Sequence, residues 1–175
     1  GLISNLDEAT VRDLHAASRR PTPPKITLNC YLVDTGDERI LIDTGLGGLV
    51  GDEGARLGAG LDEMGLTPAD IDRVILTHAH PDHLGGLIDS DDNPAFGQAE
   101  IFVPAGELAF WRGAVPQDAS EMLRNQFANA QRVFDACAAN LRAIEADAIR
   151  PGITRYPLPG HTPDHSGYRI ESNGE

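Results

Sequence analysis

Thr77-His78-Ala79-His80-Pro81-Asp82-His83-Leu84-Gly85-Gly86 places three histidines and an aspartate within six residues, directly after the apolar run Val74-Ile75-Leu76. An apolar run that ends at a polar cluster reads as a buried strand delivering side chains to a strand-end loop. The order His-x-His-x-Asp-His supplies three imidazoles and one carboxylate, donor types that suit zinc or a similar divalent ion. A lone histidine is most often structural. Four strong metal ligands packed this closely point to a metal site.

The rest of the chain bounds what such a site can serve. Its 175 residues, 41% hydrophobic, are enough for one sizeable core and a single domain over 1–175. The formal net charge of -13, from 14 basic and 27 acidic residues, disfavours nucleic acid, because phosphate binding needs a basic footprint. A metal site remains compatible, being a local positive charge inside an acidic protein. Cys30 and Cys137 are too few for a disulfide framework and read as buried thiols, with a single bridge between them left open. No run of about 18 apolar residues exists, so a membrane span is not expected. The chain begins Gly-Leu-Ile-Ser rather than with Met, which leaves processing or a lost signal peptide open. A cytoplasmic or periplasmic compartment and a homodimer are both left open.

Outward from the histidine loop, the periodicity predicts a mixed α/β chain. Val11 and Leu14 mark a short amphipathic segment, followed by the Pro-rich arm Arg20-Pro21-Thr22-Pro23-Pro24, where His15 nearby reads as a surface residue. Ile26–Val33 and Arg39–Ile42 read as a hairpin around Asp34-Thr35-Gly36-Asp37-Glu38. That hairpin ends at Asp43-Thr44-Gly45, where Asp43 either caps a turn or holds a metal-bound histidine in one tautomer. Residues 52–64 have helical spacing and stop at Gly65; Thr67-Pro68-Ala69-Asp70 is a capping box. Leu84-Gly85-Gly86-Leu87 continues the histidine loop with glycines that allow close backbone approach. Asp89–Asn93 imitates a calcium loop, but Pro94 stands where a glycine must turn, so it reads as a solvated acidic loop. Ile101–Val103 is a short strand and Gly106–Trp111 opens a helix. From Gln117 to about Arg150 no Gly or Pro interrupts an apolar stripe from Leu123 to Ile144, which predicts one or two helices. The stripe brings Trp111 and Phe127 near each other, and bulky aromatics so placed wall pockets. Ile153–Leu158 is a strand that runs into Pro159-Gly160-His161-Thr162-Pro163, a second strand-end histidine. Tyr168–Glu171 resumes strand character, and Ser172-Asn173-Gly174 is a hairpin turn with no returning strand, so a C-terminally incomplete chain is expected.

Three neutral imidazoles around one ion, with a fourth position open to water, describe a catalytic rather than a structural zinc site. His78, His80 and His161 are the candidates for it. Asp82 and His83 remain for a second ion about 3.5–4 Å away, with a hydroxide between the pair. A bound ion lowers the pKa of its water from about 15.7 towards 7, and Asp82 is placed to orient the hydroxide or take its proton. Hydrolysis is the reaction class that follows. No Gly-rich phosphate loop and no Gly-x-Ser-x-Gly supports a nucleotide-dependent or serine-hydrolase reading.

Thr77-His78-x-His80-x-Asp82-His83-x-Gly85-Gly86, preceded by Ile42-Asp43-Thr44-Gly45 and followed by Pro159-Gly160-His161-Thr162-Pro163, resembles the metallo-β-lactamase superfamily. The three motifs occur in that family's order and cover residues 26–170. The resemblance implies an αββα four-layer sandwich with a dinuclear metal site at one edge of its two sheets. It matches His78, His80 and His161 to first-site ligands, Asp82 and His83 to second-site ligands, and Asp43 to a supporting aspartate. Two departures stand out. The family's bridging aspartate and last histidine lie beyond His161, where this chain supplies neither, and Asp164 replaces a usual glycine. His165 is then a neighbour of the site rather than a ligand. The stretch from Glu107 to Arg112 and the helices after it resemble the branch of methyl parathion hydrolase and the quorum-quenching lactonases, in which a tryptophan at the place of Trp111 walls the substrate pocket.

The resulting expectation is a hydrolase with two divalent ions, zinc first and manganese or iron next. It uses a metal-bound hydroxide on the ester, lactone or phosphotriester bond of a small-molecule substrate. The alternatives are thioester hydrolysis of the glyoxalase II kind, β-lactam hydrolysis, and a non-catalytic metal-binding relative. Ribonuclease Z is a further relative, and the missing basic patch counts against it.

Overall fold

The computed structural model describes residues 6–18, 27–50 and 56–172. Helix α1 (Glu8–Ala17) opens at Asp7, whose carboxylate accepts from Thr10 N at 2.9 Å, and it buries no residue. Strands β1 (Tyr31–Asp34) and β2 (Arg39–Ile42) form the expected antiparallel hairpin. Its turn is closed by Gly36 at φ 86, with Asp34 accepting from Gly36 N at 2.8 Å. The ladder begins only at Tyr31; Ile26 and the Pro-rich arm lie outside the described residues. Helix α2 (Arg56–Glu63) ends before Gly65, and the Thr67–Asp70 capping box starts a single turn into β3 (Arg73–Ile75). Then come α3 (Pro81–Leu84), β4 (Glu100–Pro104), α4 (Ala105–Trp111), α5 (Glu121–Ala136), β5 (Leu141–Ile144), β6 (Ala148–Arg150), β7 (Ile153–Pro157) and β8 (Ser166–Ile170).

The strands make two sheets, one in the order β1-β2-β3-β4-β5 and one in the order β6-β7-β8. From β2 to β5 the pairing is parallel, so Ile42, Ile75 and Phe102 stand abreast and the chain leaves all three strands at one edge. These strands are apolar on both faces, as a sheet covered on both sides requires. Leu41, Val74, Ile101 and Val103 point into one core with Phe127, Val133 and Phe134 of α5. Their neighbours Ile40, Ile75, Phe102 and Ile144 point the other way, against Ile153 and Tyr168 of the second sheet. Helix, sheet and sheet are thus stacked as in the αββα sandwich, each switch of face following the two-residue period of a strand.

Helix α5 buries Phe127, Ala130, Val133 and Phe134, one stripe at helical spacing, with each large side chain contributing about 1.5–3 kcal/mol. The expected helix up to Arg150 is corrected here: the chain turns at Cys137–Asn140 and continues as strands β5 and β6. Leu141 and Ile144, three apart, suit one face of a helix or the two opposite faces of a strand covered on both sides. What decides is the free edge of β4, which Leu141–Ile144 joins in parallel, while Asn140 O accepts from Ile101 N at 2.9 Å. In the acidic loop, the Asp89 carboxylate accepts from Asp91 N and Asn93 N, both at 2.9 Å, so it closes its own turn. Cys30 and Cys137 are both free thiols.

Candidate metal centre

The histidine loop leaves β3 with Leu76 N still bonded to Phe102 O at 2.9 Å, and Pro81 at the first helical position then starts α3. His80 is the residue that caps α3, and Asp82 and His83 fall within its single turn. Close backbone contact presses this loop against the end of β2. A Cβ on Gly86 would stand 2.3 Å from Thr44 O, and one on Gly85 2.3 Å from Leu46 O. Thr44 completes the seam, its N and its Oγ1 both donating to His83 O at 2.8 and 2.9 Å. Ser166 N donates to Thr77 O at 2.9 Å and Tyr168 Oη to Leu76 O at 2.8 Å, which ties the second sheet to the same loop.

In this frame His78, His80 and His161 converge, with one ring nitrogen of each lying within 4.8 Å of the others. His80 Nδ1 lies 3.1 Å from His78 Nε2 and 3.1 Å from His161 Nε2. His78 is buried, His80 half-buried and His161 exposed. The partners of these rings show whether a cation suits them. Asp43, at φ 59 beyond β2, accepts Thr77 N at 2.7 Å on Oδ1 and Thr77 Oγ1 at 2.8 Å on Oδ2. The Thr77 hydroxyl has one hydrogen and gives it to Asp43, so toward His78 Nδ1, 3.0 Å away, it can only accept. His78 therefore carries its proton on Nδ1 and turns a bare lone pair on Nε2 into the cluster, as a metal ligand must. Burial first, and then the neighbouring imidazoles His83, His80, His165 and His161, push the His78 pKa down to about 2. Burial and His161 also lower His80, against the opposing pull of Asp82 and Glu107. His78 and His80, both pushed toward the neutral form with their facing nitrogens 3.1 Å apart, suit a divalent ion better than a proton.

Asp82 and His83 form a second cluster beside the first. His83 Nδ1 lies 2.8 Å from Asp43 Oδ2 and His83 Nε2 lies 3.5 Å from Asp82 Oδ2. Burial opposes a charge on His83, but the bonds to Asp43 and Asp82 outweigh it and lift its pKa to about 9. The His83 contact holds the Asp82 carboxyl down at about 2 in spite of its partial burial. This pair is thus an imidazolium and a carboxylate at neutral pH, and His83 must release a proton before it can ligate. Among the described residues only His78, His80 and His161 offer three convergent ligand atoms.

Trp111 and Phe127 were expected to wall a pocket, but each is 1% exposed and belongs to the core on the helical side of the sheet. Their rings pack 4.9 Å apart, and Trp111 backs His80 at 5.4 Å between centroids. An open cavity of about 770 Å³ does exist, lined by Leu28, Cys30, Thr44, Leu57, Leu61 and Met64 among others, but no histidine reaches it. His165 stands beside the cluster, its ring 4.9 Å from that of His78. Asp164, in the place of the usual glycine, accepts Gly106 N at 2.8 Å and pairs with the buried Arg155, whose Nε donates to Ser166 Oγ at 2.8 Å. Glu107 escaped the sequence reading altogether. It is fully buried and accepts from Ala79 N, Trp111 Nε1 and Asp164 N at 3.1, 2.8 and 2.9 Å. The visible signal was its spacing of four from Trp111 on one helix face.

Comparison with known proteins agrees with this geometry. Residues 26–175 match the family model of the metallo-β-lactamase superfamily. A probable metallo-hydrolase of Mycobacterium tuberculosis is 27% identical, over 84% of this chain and 54% of its own length. An N-acyl homoserine lactonase of a Bacillus species is 29% identical, over 82% of this chain and 58% of its own. Among solved structures, the dizinc quorum-quenching lactonase AidC, in complex with its product, superposes with a TM-score of 0.89 at 27% identity, covering 97% of this chain and 61% of that one. The chain spans about half to three fifths of the length of these relatives. With its three motifs in order and the family model covering residues 26–175, the chain belongs to the metallo-β-lactamase superfamily.

Proposed function

We propose that this chain carries the metal-binding half-site of a hydrolase that cleaves a lactone or ester bond in a small molecule. The observation that carries the reading is the convergence of His78 Nε2, His80 Nδ1 and His161 Nε2. A divalent ion held there, zinc first among candidates, supplies Lewis acidity and an activated water. The chain's own residues supply the rest. Asp43 and Thr77 keep His78 in its ligating tautomer, and Asp43 orients His83. Asp82, ionised and partly exposed beside the cluster, is the group placed to accept a proton on its carboxylate during attack. With His83 it is also the candidate ligand pair for a second ion.

Lactones lead the substrate classes because lactonases stand among the relatives of this fold. A thioester is the second reading, favoured by an atrochrysone carboxyl ACP thioesterase of Passalora fulva that is 27% identical over 99% of this chain. The test is zinc content together with turnover of an N-acyl homoserine lactone, a lactoylglutathione thioester, a phosphotriester and a chromogenic β-lactam. Lactone turnover fastest of the four supports the first reading, and thioester turnover fastest replaces it by the second. His80→Ala is expected to lose zinc binding and turnover together. A variant that still binds zinc as the parent does would remove the triad from the mechanism.

A further inference from the structure

Glu107 lies on α4, outside the three motifs, yet its carboxylate bonds both loops that carry the histidines and the ring behind His80. Ala79, whose N–H bonds Oε2 at 3.1 Å, is the residue between His78 and His80. Asp164, whose N–H bonds Oε1 at 2.9 Å, stands three residues after His161. Trp111, whose Nε1 donates to Oε2 at 2.8 Å, is the ring that backs His80. One side chain thus spans the two loops that bear the ligands and also fixes the aromatic wall behind one of them.

Its charge is as informative as its contacts. Glu107 is 0% exposed, and among the described residues it has no ion-pair partner; the buried Arg155 pairs with Asp164 instead. A buried carboxylate with only neutral donors is costly unless a positive charge lies near. Asp43 is buried and meets His83 directly and His78 through Thr77, while Glu107 reaches the His78–His80 loop from α4. Beside them lie the imidazoles of His78, His80 and His161, which offer three convergent ring nitrogens. Two buried carboxylates beside three convergent imidazoles make a donor set suited to a divalent cation.

We propose that Glu107 is a positioning residue of the histidine site. It fixes the Ala79 and Asp164 loops at the spacing the three ligand nitrogens need and places a buried carboxylate behind the His78–His80 loop. The inference rests on the reading of His78, His80 and His161 as a zinc site. A loop tether with no bearing on the metal is the competing account, and the two part on zinc affinity. Glu107→Gln keeps the shape, removes the charge and turns an amide N–H₂ toward a backbone or indole donor.

Zinc affinity of the chain, measured by competition with a chromophoric chelator, is expected to fall ten- to a hundred-fold in Glu107→Gln, about the range for lost outer partners of metal ligands. Glu107→Asp, which keeps the charge, is expected to recover part of it. Trp111, the chain's single tryptophan, reports the same event, because its emission should change on zinc addition to the parent and change less in Glu107→Gln. Glu107→Gln and Glu107→Asp that both melt lower without zinc, yet bind zinc within about twofold of the parent, would establish the tether and overturn the proposal. Should Glu107→Gln not fold, hydrogen exchange of the parent decides. Slower exchange of the Ala79 and Asp164 amides on zinc loading supports the coupling, and unchanged exchange overturns it. A parent that binds no zinc removes the site and the inference together. A parent that binds zinc and loses it in His80→Ala, with Glu107→Gln unaffected, removes the inference alone.

Discussion

Asp43→Asn should disable the histidine cluster while leaving the backbone where it is. Asp43 lies at φ 59, a left-handed conformation that asparagine tolerates better than other residues, so the change falls on hydrogen bonding. The carboxylate accepts three bonds: Thr77 N on one oxygen, Thr77 Oγ1 and His83 Nδ1 on the other. An amide has a single oxygen. If that oxygen keeps Thr77 N, the N–H₂ faces the Thr77 hydroxyl, which must then accept and turn its hydrogen toward His78 Nδ1. His78 would move its own proton to Nε2, the atom that faces His80 Nδ1 at 3.1 Å, and the ligating lone pair would be lost. Each buried mismatch costs about 1–3 kcal/mol, and loss of an outer partner of this kind lowers metal affinity roughly 10–100-fold.

The same substitution predicts a pH signature in the zinc-free chain. Against the opposing effect of burial, Asp43 and Asp82 raise the His83 pKa from 6.5 to about 9. A raised folded-state pKa gives stability that is complete below the unfolded value and is lost as pH rises through the folded one. The shift corresponds to about 3 kcal/mol, shared between the two carboxylates, that the parent holds at about pH 6 and loses by about pH 10. Asp43→Asn lacks most of it, so the stability gap between parent and variant should narrow as pH rises. His78 contributes in the opposite direction: with its pKa pushed down to about 2, the folded chain loses stability as pH falls below 6.5. Urea unfolding in chelator across this range, with zinc affinity at neutral pH, measures both effects. A gap that stays constant with pH, together with zinc affinity within about threefold of the parent, would refute the tautomer argument.

Two further outcomes follow from the packing. Gly86→Ala puts a methyl 2.3 Å from Thr44 O and 3.0 Å from Thr44 Cβ, forcing the β2 end away from the histidine loop. Differential scanning calorimetry should show a loss of about 1–3 kcal/mol or more, with zinc affinity reduced as Asp43 shifts. Burial pushes the thiols of Cys30, with help from Asp43, and Cys137 up to about 11. Thiolate near pH 8 is then roughly a thousandth of either cysteine, so mass spectrometry should find negligible iodoacetamide labelling until the chain is unfolded.

The parts of this fold that could be read from sequence are those where one local signal faces no competitor. Val74-Ile75-Leu76 before a polar cluster admits only a strand, and Thr67-Pro68-Ala69-Asp70 forms its capping box from four consecutive residues. Leu141 and Ile144 carry no such decision, since a spacing of three suits one helix face as well as the two faces of a doubly covered strand, and the free edge of β4 lies about forty residues away. Trp111 illustrates a different limit. Its position near the site was legible, but which side of the sheet its ring covers depends on α4 packing against α5, and that packing turns it into the core. Glu107 is easily passed over because a glutamate in a first helical turn is ordinarily a solvated residue that favours the helix dipole; its spacing from Trp111 points to one of its three donors, and nothing local points to the other two.

That contrast also explains how the cluster is assembled. His78 and His80 are two apart and are brought together by one tight loop, so the local sequence is sufficient for that pair. The approach of His161 Nε2 to His80 Nδ1 spans 81 residues, and His161 is exposed. Hydrophobic burial therefore holds the first pair but cannot hold the third ring. Its loop is tied down by polar contacts: Ser166 N to Thr77 O, Asp164 to Gly106 N and Arg155, and Asp164 N to Glu107. Directional bonds between buried partners fix a loop more closely than apolar contact does, since each is lost over a fraction of an ångström. The acidic residue that replaces the family's glycine at position 164 is part of that fixing, which accounts for a departure that the motif comparison left without a reason.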